Sequence, residues 1–167
     1  MSLDNFQLPL HLLSELYKNS LVVLDDKQIN TDSLKEENFN YLGDNLKHIL
    51  ILVKDIESVH LNDPDLNFLT GILSACKLTI ADVAILNMQR NTSTNLERII
   101  SYFCPNTIIS FDFTLSQITD LQINNSKYEI HKINQTPFLN SSALHYVSNN
   151  VDEKKKLWGC LKTMFSI

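Results

Sequence analysis

The sequence predicts a three-layer α/β/α sandwich over residues 46–167, built on a four-stranded, mostly parallel sheet, with an N-terminal arm over residues 1–45. From His48 onward, short runs of apolar and β-branched residues alternate with segments whose apolar residues recur at helical spacing. Such short alternation favours right-handed crossovers that place helices on both faces of a parallel sheet. A chain of 167 residues that is 44% apolar is also large enough to form one core of this kind.

The arm begins with "LPLHLLSELY", which predicts a short amphipathic helix from Leu8 to Tyr17, with Pro9 near its start. The following "SLVVLDDKQINTDSLKEEN" turns from apolar to charged and predicts an extended segment. The apolar face of the helix either packs on its own domain or enters a groove of a partner protein. The candidate partner-binding residues are Leu12, Leu13, Leu16, Tyr17 and Leu21.

The first strand–helix unit follows the arm. "HILILVK" is continuous and apolar, as expected of a strand covered on both faces. Asn62-Asp63-Pro64 then supplies an N-cap and a first-turn proline. The helix that it starts has an apolar stripe of Leu66, Leu69, Leu73 and Cys76.

The second unit starts with a predicted buried strand from Ala81 to Met88. Thr94 and Glu97 form a capping-box signal for the next helix, which Pro105 ends. "NTIISFDF" predicts the third strand, "LSQITDLQ" a short helix or turn, and "KYEIHKI" a fourth strand at an edge of the sheet.

The last element is a helix that starts after Asn149-Asn150, with Asp152 and Glu153 placed favourably against the helix dipole. Its apolar residues fall on one face, which we expect to pack on the sheet with Trp158 in the core. These residues are Leu157, Trp158, Leu161, Met164 and Phe165.

The composition disfavours direct nucleic-acid binding and membrane insertion. The net charge of -5 is the opposite of the basic surface that direct nucleic-acid binding requires, so we expect such binding to be weak or absent. No apolar run approaches the ~20 residues of a membrane span, and "MSLDNFQLPL" lacks the basic start of a secretory signal. We therefore expect a cytoplasmic protein without membrane contact.

The cysteines and histidines predict neither a cofactor nor a metal site. Cys76, Cys104 and Cys160 are odd in number and widely spaced, so we expect reduced and mostly buried thiols. The five histidines show no i,i+4 pair and no cysteine partner at the spacing of a zinc site.

Across roughly Ile49 to Phe165, the order of the predicted strands and helices and several sequence segments together resemble the uracil-DNA glycosylase-like superfamily. "ILILVKDIES" is similar to the first strand and loop of that family, "LNFLTGILSACKLTIADVAILN" to its helix, link and second strand, and "LERIISYFCPNTIISFDF" to its next helix and third strand. "SALHYVSNNVDEKKKLW" resembles the segment that leads into the Trp-bearing terminal helix. The resemblance implies the fold of that superfamily.

The same resemblance implies positions for a nucleotide site. Asn87 occupies the place of the base-recognising asparagine, and Asp55 lies where a water-activating residue is expected. Asn140 aligns with the histidine that stabilises the departing base. The alternatives without a functional role are that Asn87 is a turn residue and that Asp55, like Glu57, is only a solvent-exposed carboxylate of the loop.

The catalytic motifs of the family are missing. The loop Lys54 to Ser58 contains no glycine, although close approach of a backbone to a flipped nucleotide favours glycine there. The family's His-Pro aligns with Asn140-Ser141, and an alternative alignment on Thr136-Pro137 restores only the proline. Three cysteines are also one too few for the iron–sulfur members. The resemblance therefore favours a chain that is not an enzyme.

Among non-catalytic members of the superfamily, the chain is closest in kind to the psi-subunit family of the bacterial DNA polymerase III clamp loader. That family retains the sheet and the terminal Trp-bearing helix and carries an N-terminal arm. The resemblance implies an adaptor of the replication or repair machinery, with clamp-loader or single-strand-binding components as partners.

Three alternatives stay open. The first is an active DNA glycosylase, and the second is a nucleotide-binding protein of the same superfamily. The third is a receiver-like signalling domain, which "ILILVKD", "PNTIISFDF" and Lys132 faintly resemble.

Overall fold

A computed structural model of the chain describes residues 39–91, 95–113, 126–133 and 135–167. The chain divides into two compact units, Met1–Glu37 and Asn38–Ile167, and the described residues belong to the second. The described part of this unit starts with a short strand, Tyr41–Leu42, ahead of the first long apolar run. The boundary of the arm at residue 45 stays a prediction.

The described residues form an α/β fold of six strands and four α-helices. The strands are β1 Tyr41–Leu42, β2 Ile49–Val53, β3 Val83–Asn87, β4 Thr107–Phe111, β5 Ile130–Ile133 and β6 Thr136–Ser141. The helices are α1 Asp63–Ala75, α2 Leu96–Phe103, α3 Leu144–Asn149 and α4 Val151–Phe165, and a 3-10 turn, Ile80–Asp82, precedes β3.

The six strands form one mixed sheet in the order β1-β3-β2-β4-β6-β5. The four inner strands are parallel, with Leu50 of β2 in register with Ala84 of β3 and Ile108 of β4, and β4 also pairs parallel with β6. The edge strands β1 and β5 are antiparallel. The prediction of four strands is therefore wrong in number, although a parallel core of four is present.

The edge strand predicted from "KYEIHKI" is present. It is β5, which lies at an edge of the sheet and pairs antiparallel with β6, so the fourth parallel strand is β6. β6 itself was missed, because Pro137 and the polar pair Asn140-Ser141 weaken its strand signal. These polar residues are tolerated because β6 lies between β4 and β5 and is covered by helices.

Helices pack on both faces of the sheet. On one face, Ile51 and Val53 share an apolar cluster with residues from α1, α3 and α4. On the other, Leu50 and Leu52 share a second cluster with α2. The alternation along β2 sends successive side chains to opposite faces, so a fully apolar strand completes both cores.

Local capping signals place the helix starts. Asn62 accepts a hydrogen bond from the Asp65 N–H at 2.9 Å, and Pro64 lies in the first turn, as predicted. Asn150 caps α4 in the same way, at 3.0 Å from the Asp152 N–H. α2 is capped by Asn95 instead of the predicted Thr94, which lies outside the described residues.

Other expectations have mixed outcomes. Cys76 is buried, Cys160 is half-buried and Cys104 is exposed, so the thiols are less uniformly buried than predicted; all three are free. "LSQITDLQ", residues 115–122, falls outside the described residues. In the described ranges, no helix has the length and apolarity to cross a bilayer.

Candidate functional site at the carboxyl edge of the sheet

The Asp55 carboxylate organises the loop after β2. Its Oδ1 accepts hydrogen bonds from the Glu57 and Ser58 N–H groups, both at 2.9 Å. Its Oδ2 accepts from the Asn62 N–H at 3.0 Å and from Asn62 Nδ2 at 3.1 Å. The carboxylate is thus engaged on both oxygens, and it joins the loop to the N-cap of α1.

Two opposing effects act on the pKa of Asp55. Its burial, at 9% exposed, raises the pKa. The hydrogen bonds from Ser58, Glu57 and Asn62 together outweigh burial and hold the pKa below its usual value. A carboxylate with a lowered pKa and four donors is a weak base, which disfavours the water-activating role.

Asn87, at the end of β3, is fully buried and is bonded to the same loop. Its Nδ2 donates to the carbonyl oxygens of Asp55 at 2.8 Å, Ser58 at 3.1 Å and Val59 at 3.3 Å. Its Oδ1 accepts from the Asp55 N–H at 3.2 Å and the Gln89 N–H at 3.0 Å. These contacts occupy both the N–H donors and the carbonyl oxygen of the amide, so in this conformation Asn87 has no free group with which to bind the edge of a base.

Arg90 also contacts this loop, which sequence reasoning missed. Its Nη2 donates to the Ile56 carbonyl at 3.1 Å and the Glu57 carbonyl at 3.4 Å, and its Nε lies 3.4 Å from the Ser58 carbonyl. In the sequence, the only local sign of this contact is an arginine three residues after an asparagine at a strand end. That spacing is too common to predict a contact with the loop.

Asn140 lies apart from Asp55 and Asn87. It is 1% exposed in β6, and β2 and β4 separate β6 from β3. Its neighbour Leu139 faces the α1 side, so alternation turns Asn140 to the α2 side, whereas Asn87 shares the face of Ile85 on the α1 side. The three predicted nucleotide-site residues therefore do not form one site.

A polar groove of about 630 Å³ lies beyond the ends of β4 and β6. At its centre the Glu153 carboxylate accepts hydrogen bonds from the Tyr128 hydroxyl and from Ser142 Oγ, the latter at 3.2 Å. Lys156 Nζ lies 3.0 Å from Glu153 Oε1, and Lys127 Nζ lies 3.3 Å from Ser142 Oγ. Asp112, Ala143, His145 and Tyr146 complete the lining.

This network lowers the pKa of Glu153. The Tyr128 hydroxyl is the largest cause, and the hydrogen bonds from Lys156 and Ser142 act in the same direction against a smaller opposing effect of burial. Sequence reasoning assigned Glu153 only to the helix dipole. Tyr128 and Glu153 are 25 residues apart, so no local spacing reveals their contact.

A second groove, of about 390 Å³, runs between α1 and α4 and is here called the α1–α4 groove. Trp158 lines it and is only half-buried, which corrects the prediction that this side chain lies in the core. α1 and α4 leave a gap here, and Gly71 and Ala75 are the small residues on its α1 side. The groove is lined by Asn67, Phe68, Gly71, Ile72, Ala75, Val147, Lys154, Leu157, Trp158 and Leu161.

The remaining predicted positions lie elsewhere. The candidate partner-binding residues Leu12, Leu13, Leu16, Tyr17 and Leu21 fall outside the described residues. Within residues 39–91, 95–113, 126–133 and 135–167, no cluster of three or more His, Cys, Asp or Glu residues is arranged to hold a metal ion.

No protein-family model matches the chain, and no curated protein matches it.

Proposed function

We propose that the chain is a non-catalytic, protein-binding adaptor of the replication or repair machinery, similar in kind to the clamp-loader psi subunit. The observation that carries the proposal is the engagement of Asn87 and Asp55. In a glycosylase of this superfamily these positions would serve the nucleotide, whereas here both side chains are bonded to their own loop. With both side chains engaged in the loop, neither serves a nucleotide, and this supports a protein-binding role over a catalytic one.

The absence of glycosylase activity is part of the proposal. Removing a single preorganised group that stabilises developing charge costs about 10²-fold or more in rate, and the position aligned with the family's histidine is a buried asparagine. We expect no cleavage of a uracil-containing oligonucleotide. Cleavage that Asn87→Ala or Asp55→Ala abolishes would restore the enzyme hypothesis.

The adaptor function is tested by recovering partners with the full chain. We expect clamp-loader or single-strand-binding components from the native organism. A chain lacking residues 1–24 is expected to lose these partners and to keep its cooperative melting, since the α/β unit begins at Asn38. Recovery of neither component contradicts the adaptor function. Unfolding of the truncated chain, or of Leu13→Asp and Leu16→Asp variants, assigns these leucines to the core instead.

The polar groove favours one second candidate, a nucleotide-binding protein. Lys127 and Lys156 offer two ammonium groups, and Tyr146 is an exposed ring 52% accessible beside them. Glu153 and Asp112 in the same groove offset this charge, which places the nucleotide function second. Titration with nucleoside monophosphates, followed by NMR shifts of Tyr146 and Ser142, distinguishes the two candidates.

A further inference from the structure

The α1–α4 groove has the dimensions and lining of a pocket for a bulky apolar side chain. Its base is formed by the buried side chains of Val147, Leu157 and Leu161. Its walls carry the partly buried rings of Phe68 and Trp158. A volume of about 390 Å³ exceeds that of one large side chain, so the groove accepts an anchor residue with its neighbours.

Gly71 contributes to the open space. A Cβ built on Gly71 meets no heavy atom within 4 Å, so a larger side chain there would extend into the groove without a clash in the helix packing. Gly159 of α4 is equally free of neighbours and does not line the groove. The chain therefore offers a matched pair of glycines, one that lines the groove and one that does not.

One lysine lines the groove and a second lies beside it: Lys154 is part of the lining, and Lys162 is not but contacts the ring of Trp158, which is. Lys154 Nζ lies 5.5 Å from the centroid of the Phe68 ring, and Lys162 Nζ lies 5.6 Å from that of Trp158. Across the described residues, neither ammonium has a carboxylate within ion-pair distance. By contrast, the adjacent Lys155 and Lys156 pair with Asp152 and Glu153.

These ammonium groups decide the chemistry of the occupant. Among the described residues, Lys154 is the charged side chain that lines the groove, and no carboxylate lines it. An apolar group that arrives with a carboxylate therefore meets a complementary charge, and one that arrives with an ammonium is repelled. Because the two lysines already lie over the aromatic rings, little further ordering is needed for them to meet the carboxylates.

We propose that the α1–α4 groove binds a peptide segment of a partner protein in which a bulky apolar residue is flanked by acidic residues. The inference rests on the proposed adaptor function and adds a second contact, distinct from the N-terminal arm. The apolar side chain lies between Phe68 and Trp158, and the flanking carboxylates pair with Lys154 and Lys162.

Trp158 provides the readout, because it is the single tryptophan of the chain and it lines the groove. The probe is a synthetic peptide that carries phenylalanine and leucine between aspartates and contains no tryptophan. We expect a saturable blue shift of the Trp158 emission with the full chain, weakened by added salt. The same peptide with lysine in place of every aspartate is expected to cause no shift.

Matched variants locate the binding. Gly71→Leu fills the groove and Lys154→Glu reverses its charge, so each is expected to weaken binding at least about tenfold. Gly159→Leu and Lys155→Glu make the same changes outside the groove and are expected to bind as the original chain does. Melting temperatures of the four variants check that each is folded.

Each other outcome overturns the proposal. Equal binding of the lysine peptide, no binding of the aspartate peptide, or unchanged binding by folded Gly71→Leu and Lys154→Glu excludes this occupant. A dimer that Gly71→Leu dissociates in light scattering assigns the groove to a second copy of the chain. If the groove variants bind the peptide as tightly as the original chain does and still recover replication partners, this contact is excluded and the adaptor function stands.

Discussion

The side chain of Asn87 and the backbone of Asp55 exchange two hydrogen bonds across 32 residues of sequence. The Asp55 N–H donates to Asn87 Oδ1 at 3.2 Å, and Asn87 Nδ2 donates to the Asp55 carbonyl at 2.8 Å. The amide thus pairs with the chain as a neighbouring strand would, and it continues the β2–β3 pairing beyond Val53, whose register partner is Asn87. The loop after β2 is thereby held to the end of β3.

Asn87→Asp is expected to destabilise the domain by about 3 kcal/mol, because it places a buried carboxylate oxygen against carbonyl oxygens that now receive an N–H. Chemical denaturation measures the change. Asn149→Asp is the control, since Asn149 donates to the His145 carbonyl from an exposed position. Similar losses in the two variants would contradict a structural role for the buried amide.

Asp55→Asn is expected to lower the free energy of unfolding by about 2 kcal/mol at neutral pH. The NH₂ group of the new amide would face backbone N–H groups that donate hydrogen bonds to the carboxylate in the original chain. The pKa of Asp55 is lowered in the folded state. Its stabilising contribution is therefore complete above the unfolded-state pKa and is lost as the pH falls through the folded-state pKa.

The difference in unfolding free energy between Asp55→Asn and the original chain should accordingly shrink below about pH 4. Denaturation curves recorded at a series of pH values test this. A difference that stays constant from neutral to strongly acidic pH would show that the charge of Asp55 is unimportant.

Gly43→Ala is expected to destabilise the domain by about 3 kcal/mol or to prevent folding. Gly43 has φ +102°, and an added Cβ would lie 2.2 Å from the Val83 carbonyl oxygen and 2.5 Å from that of Ile80. Both atoms belong to the backbone and have little freedom to move. Thermal melting measures the effect.

Gly159→Ala is the matched control for Gly43→Ala. It adds a methyl group in open space on α4 and is expected to raise stability by up to about 1 kcal/mol through helix propensity. Equal melting temperatures of the two variants would refute the close approach at Gly43.

Tyr128→Phe is expected to raise the pKa of Glu153 toward its ordinary value, because the Tyr128 hydroxyl is the largest cause of the lowered pKa. NMR titration of the Glu153 carboxyl measures it. Tyr146→Phe removes a hydroxyl from the same groove but from a residue with no hydrogen bond to Glu153, so it should leave that pKa unchanged. A shift of equal size in both variants would contradict the specific contact.

The contrast between β2 and β6 shows how far strand prediction from sequence extends. Ile49–Val53 is apolar throughout, so its burial between two helical layers could be predicted. Thr136–Ser141 contains Pro137 and ends in polar residues, and it becomes a strand because β4 and β5 pair with it on both sides. The short β1 depends in the same way on pairing with β3.

The candidate sites show the same division. Asp55 and Asn87 could be placed at the carboxyl edge from the order of strands alone, but their use in loop structure depends on contacts between residues far apart in sequence. The acidic start of α4 was visible, whereas the Tyr128–Glu153 contact was not. The α1–α4 groove could not be predicted from sequence. Helical spacing shows which residues are apolar, but it does not show whether two helices pack in full contact or leave a gap.

The sequence by itself determined the parallel inner strands β2, β3 and β4 and the starts of α1 and α4. These features follow from local physics, namely apolar runs that must be buried and asparagine side chains that cap the first N–H groups of a helix. Only the tertiary structure decided the strands β1 and β6, the close approach at Gly43, the hydrogen bonds of Asn87 and the half-exposure of Trp158. Each of these depends on atoms from distant segments meeting in space, and their energies arise from pairing and packing that no single stretch of sequence contains.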